Sequence, residues 1–200
     1  MSSQLTGPLQ RLIESFQKLP GIGARSAERI AFHLLKASRE EAVGLAEAIR
    51  AVKEKVRPCA KCFNLAESEL CHICADGRRD AKVIVVVEQP KDLINLEATG
   101  VINGVYHVLM GRVAPLDGIE PKHLTIDALV KRVTDDDVRE VILATNPTVE
   151  GDTTALHIQE ALEPLNVSVT RLARGIAPGS QIEYANRSML EEAFRGRKSM

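Results

Sequence analysis

Val83-Ile84-Val85-Val86-Val87-Glu88 sets five consecutive apolar residues, four of them valine, in front of an acid. A run of this kind suits a strand buried on both faces, as in a parallel sheet covered by helices. Further strands are expected at residues 105–110, 141–144 and 167–172, with helices at 93–98, 124–133 and 153–162 between them. Strands alternating with helices favour a parallel α/β sheet with helical crossovers. The chain ends in a Gly/Pro loop at 175–180 and a short helix at 188–194.

Upstream of the sheet the period changes. Leu9, Leu12, Ile13 and Phe16 share one helical face; Ala27, Ile30, Ala31, Leu34 and Leu35 form a second stripe and Ala42, Leu45, Ala46, Ile49, Val52 and Val56 a third. Ser38 and Glu41 have capping-box spacing. Three short helices leave little room for a core, so this segment is expected to pack on a partner. The expected organisation is a helical segment at 1–56, a cysteine-rich segment at 57–80, the α/β domain at 81–173 and a C-terminal element at 174–200.

All four cysteines fall in two pairs, Cys59-Ala-Lys-Cys62 and Cys71-His-Ile-Cys74. Four thiolates so spaced can converge tetrahedrally on one zinc, and a closed shell makes the role structural; the 24 residues of this stretch have almost no hydrophobic core, so the metal would supply their folding energy. Disulfides fit a reducing compartment poorly. A redox site needs a single CxxC; an iron–sulfur site stays open, although the ferredoxin spacings are lacking. His72 lies between ligands, but four sulfurs already fill the shell.

Leu19-Pro20-Gly21-Ile22-Gly23-Ala24-Arg25-Ser26-Ala27 joins the first two helical stripes. Its glycines permit a tight turn and close approach to another surface. The following helix offers free N–H groups and the positive end of its dipole to phosphate. Arg25 and Arg29 are one turn apart and flank that seat. The turn Gly21-Ile22-Gly23 with Arg25 and Arg29 is thus a candidate sequence-independent DNA phosphate grip. The simpler alternative is a helix connection with solvated arginines.

Composition bounds the rest. Residues 1–57 carry ten Lys and Arg against six acids, and residues 58–200 carry sixteen against twenty-one, so a net charge of −1 hides a basic N-terminal segment on an acidic body. Aromatics are 3% with no Trp, which argues against a base-stacking surface. No apolar run approaches the roughly 20 residues of a membrane span, and MSSQLTGPLQ has no signal-peptide pattern. A cytoplasmic location is expected.

The string Leu143-Ala144-Thr145-Asn146-Pro147-Thr148-Val149-Glu150-Gly151-Asp152 resembles the Toprim motif LATDPDREGE of topoisomerases and primases. In that family a strand-end Glu and an Asp-x-Asp hold magnesium for phosphoryl chemistry. Glu88 matches the first acid, Asn146 and Thr148 replace the two aspartates, and Glu150 and Asp152 retain later acids. This acidic cluster would bind magnesium weakly at most or serve a protein contact.

Taken with LPGIGARSAERIAFHLL, CHICADGRRD, VVVEQPKDL and YHVLMGRVAPLDGIEP, the chain resembles the bacterial RecR family of recombination mediators over nearly all of its length. The resemblance implies a helix-hairpin-helix segment, a four-cysteine zinc finger, a Toprim domain and a short C-terminal element. It also implies a non-enzymatic DNA-binding repair protein that forms a homo-oligomer, a dimer or tetrameric ring around DNA, and works with RecO and RecF on gaps to load recombinase. Asn186 stands where the family has an acid, Met189 where it has threonine and His157 where it has tyrosine. The rival reading is a magnesium-dependent Toprim-class nuclease or primase-like enzyme.

Overall fold

The computed structural model describes residues 5–197. The chain divides into two compact units, one ending at Val56 and one beginning at Arg57.

In the first unit α1 (Gly7–Gln17), α2 (Ala24–Lys36) and α3 (Arg39–Lys55) follow the three stripes. Ile13, Ala27 and Ala31 are its buried core, with Leu9, Leu12, Phe16 and Ile22 packed around them. Small alanines on α2 let α1 approach closely. The Ser38 side chain accepts from the Glu41 N–H at 3.1 Å and the Glu41 carboxylate accepts from the Ser38 N–H at 3.3 Å, so the capping box forms as expected. No residue of α3 is buried, and Leu45, Ile49 and Val52 remain exposed. The small core anticipated from three short helices is what the unit has.

The second unit opens with a two-stranded antiparallel ribbon, β1 (Arg57–Pro58) and β2 (Leu65–Ala66), and a single helical turn, α4 (His72–Ala75). Then come β3 (Asp80–Val87), α5 (Pro90–Glu97), β4 (Gly104–Val108), α6 (Ile126–Asp135), β5 (Glu140–Leu143), α7 (Val149–Leu162), β6 (Ser168–Arg171) and α8 (Arg187–Arg195). The strands form one parallel sheet in the order β4-β3-β5-β6. Strand β3 is buried on both faces, as its apolar run requires. Ile84 and Val86 face one cluster with Leu129, Val141 and Ile158, while Val85 and Val87 face the other with Tyr106, Val108 and Leu93.

Several elements differ from expectation. Helix α5 begins three residues early, at Pro90, where the Asp92 carboxylate accepts from the Gln89 N–H at 3.0 Å. Strand β4 stops at Val108, because Met110 turns into the left-handed region at φ 63°. Helix α7 begins four residues early, because the Thr148 side chain caps it by accepting from the Gly151 N–H at 3.1 Å. The cysteine segment also has a core: Cys59, Cys62, Cys71 and Ile73 pack with Val85, Val87, Tyr106 and Val108 on one face of the sheet. Asn186 caps α8 by accepting from the Met189 N–H at 2.9 Å, a role open equally to the family's acid.

His107 is fully buried on β4, its Nε2 within 3.0 Å of the Thr125 carbonyl and 2.9 Å of the Thr125 hydroxyl. Burial pulls its pKa down to about 4. The unfolded chain, with an ordinary His near 6.5, therefore binds a proton that the folded chain refuses. Stability is expected to fall as pH drops from about 6.5 to about 4, by on the order of 3 kcal/mol. Urea unfolding of zinc-loaded protein across that range should show a fall that is smaller in His107→Gln. An identical fall in both would place its origin elsewhere.

Candidate functional site

The four cysteine sulfurs lie within 4.8 Å of one another, and among the described residues this is the only such group of three or more metal-ligating side chains. Tetrahedral zinc with Zn–S of about 2.3 Å needs sulfurs about 3.8 Å apart; Cys62 and Cys71 are at 3.5 Å. The Cys71 N–H points at the Cys59 sulfur at 3.3 Å. Phe63 takes φ 62°, which turns the chain so that Cys59 N–H reaches the Asn64 carbonyl at 2.7 Å. Hydrogen bonding with Cys74, then burial, pushes the Cys62 thiol up. Burial pushes Cys71 up. The bond from Cys62 pulls Cys74 down to about 6 against its own burial. Sulfurs that hold each other's protons give them up together to a dication. The donor set fits a structural zinc with no open position, and His72 lies exposed outside it.

At the hairpin, Gly21 takes φ 78°, a conformation that favours glycine, whereas Gly23 is extended and precedes α2. A Cβ on either glycine would meet nothing within 4 Å, so both face open space. Gly23 supplies no side-chain cap, and the first turn of α2 carries no acid. Arg25 and Arg29 are exposed. Ile22 turns its side chain onto the core of the unit, leaving its backbone to the turn.

The acidic cluster is drawn together only in part. Glu88 is 2% exposed at the end of β3. Its carboxylate accepts from the Asn146 backbone N–H at 2.7 Å and from the Asn146 Nδ2 at 2.8 Å. Asparagine at 146 thus puts one amide donor where an aspartate would put a second carboxylate, and together with the backbone N–H it satisfies Glu88 without a cation. Asp152, in the first turn of α7, turns away to Arg171 at 2.5 Å and to Arg174. The Arg174 and Arg171 guanidiniums pull its pKa down to about 2. Glu150 sits apart, with its pKa pulled down first by its own backbone N–H and then by the Thr148 hydroxyl. The sequence shows the acids but not their partners Arg171 and Arg174; basic residues at and just beyond the end of a strand, facing a helix start, were the available signal.

Gly151 holds the loop against Asn146 and Glu88. A Cβ there would meet the Asn146 carbonyl oxygen at 2.1 Å and the Glu88 Oε1 at 2.9 Å. Gly151→Ala is expected to cost about 1–3 kcal/mol by overpacking, read as a lower urea midpoint at constant slope. An unchanged midpoint would show that the loop accepts the extra carbon without strain.

Comparison with known proteins follows these three regions. Residues 9–53 match the model for the RecR helix-hairpin-helix, 56–76 the RecR four-cysteine zinc finger domain and 82–173 the Toprim domain. Recombination protein RecR of Rhodopirellula baltica is 54% identical over 194 residues, which cover 97% of this chain and 98% of that one. Its counterpart in Rubrobacter xylanophilus is 51% identical over 192 residues, 96% of each chain. The chain belongs to the RecR family. Family membership and sulfur geometry together make the cysteine cluster of this RecR chain a zinc finger with a structural zinc. No described helix is long and apolar enough to cross a membrane.

Proposed function

We propose that this chain is a cytoplasmic, DNA-binding protein of recombinational repair that acts by assembly and recruitment, without turnover. The observation that carries the reading is the open glycine turn leading into α2 with Arg25 and Arg29 exposed beside it, in a chain whose relatives are named recombination proteins. Backbone N–H groups at Gly21 and Gly23 and the two guanidiniums would take backbone phosphates, holding DNA without reading its sequence, while the Ile22 N–H closes the turn on the Leu19 carbonyl at 3.2 Å. The proposed assembly is a homo-oligomer, a dimer or a tetrameric ring, with RecO and RecF as partners that would meet the Toprim surface.

The absence of turnover is supported at Glu88 and Asp152. Phosphoryl transfer of the Toprim kind needs carboxylates gathered around magnesium. Here Glu88 is engaged by Asn146 and Asp152 by two arginines. Nothing in the geometry favours the nuclease or primase-like reading. Fluorescence anisotropy with labelled duplexes of unrelated sequence tests the DNA-binding reading. Similar affinities that fall steeply with salt are expected; no binding at low salt would overturn it.

A further inference from the structure

The cysteines account for the zinc's ligands but overcompensate its charge. A zinc tetrathiolate carries two net negative charges, and here it would lie against the apolar face formed by Val85, Val87, Tyr106 and Val108. A buried anion of this kind needs a cation close by.

One buried cation is on the same edge of the sheet. The Arg132 side chain, on α6, is 6% exposed. Its Nη1 donates to the Tyr106 carbonyl at 2.6 Å and its Nε to Asp136 at 3.4 Å. Its Nη2 is buried and has no hydrogen-bond partner among the described residues. Two residues along the strand, the Val108 N–H donates to the Cys62 carbonyl at 2.8 Å. Strand β4 is at the end of the sheet order, and residues two apart present their polar groups to the same side. Arg132 and the first cysteine pair therefore cover one otherwise open strand edge together. Asp136 also ties them, because it accepts from Lys61, between Cys59 and Cys62, at 3.0 Å.

We propose that Arg132 is the counter-charge of the zinc–thiolate cluster, so that a residue of the Toprim domain sets how tightly the zinc finger holds its metal. It is a positioning residue, acting on the metal through the field it creates and through the shared strand edge. The inference rests on the zinc assignment, which the test checks first.

Zinc content and zinc release to a chromophoric chelator are measured on full-length protein for wild type, Arg132→Met, Arg132→Lys and Asp136→Asn. Wild type is expected to carry one zinc per chain; finding none would overturn the zinc assignment and the role of Arg132 with it. Arg132→Met is expected to bind zinc about 10–100-fold more weakly, Arg132→Lys to stay within a few-fold of wild type, and Asp136→Asn to bind no more weakly than wild type, because Arg132 then loses a competing anion. Wild-type affinity in Arg132→Met, or equal weakening in Arg132→Lys, would overturn the proposal. Weakening in Asp136→Asn equal to that of Arg132→Met would also overturn it, since the tether through Lys61 would then be the cause. If Arg132→Met does not fold, the other two variants decide on the same terms.

Discussion

Removing zinc is expected to unfold the cysteine segment and to loosen the sheet face beneath it. The apparent binding free energy of a structural zinc is about 10–16 kcal/mol in isolated fingers, comparable with the whole stability of a domain, about 5–15 kcal/mol. Here the sulfurs also belong to the apolar cluster containing Val85, Tyr106 and Val108, and Cys62 closes the β4 edge through Val108. Loss of metal would bury mutually repelling thiolates, or thiols held only by weak bonds to one another. Chelation under reducing conditions should lower the melting temperature sharply, and Cys62→Ser should purify with little zinc and melt well below wild type. A Cys62→Ser protein with wild-type melting would contradict a folding role for the metal.

The second large effect is expected at the hairpin. Arg25 and Arg29 are exposed, so their replacement by alanine should leave the fold intact. Each guanidinium taken away from a phosphate should reduce the slope of log affinity against log salt by about 0.9. The double variant should therefore show a slope shallower by roughly two units and bind all DNA sequences more weakly, about 10–100-fold at low salt. Circular dichroism would check the fold, and anisotropy the binding. A wild-type slope in the folded double variant would remove this hairpin from the interface.

Periodicity and spacing make much of the molecule legible. The run from Val83 to Val87 can bury both faces only inside a helix-covered sheet, and the CxxC spacing leaves few chemistries for four cysteines. What stays hidden depends on partners distant in the chain. Asn146 reads as a lost acid, yet only the fold reveals it as the donor that satisfies Glu88, 58 residues away. Thr148 reads as a second lost acid but serves as the helix cap that turns Asp152 toward Arg171 and Arg174. The cysteine segment reads as coreless because its core is supplied by β3 and β4. Arg132 reads as one more basic residue on an amphipathic helix, and only the strand order places it beside Cys62 and Val108.

The most direct test of the central claim is to incubate zinc-loaded protein with end-labelled gapped and duplex DNA, with and without magnesium, and to follow binding and product in the same samples. Bound DNA is expected to be recovered uncut, unjoined and unextended, in wild type and in Glu88→Gln alike. Magnesium-dependent product in wild type that disappears in Glu88→Gln would contradict it.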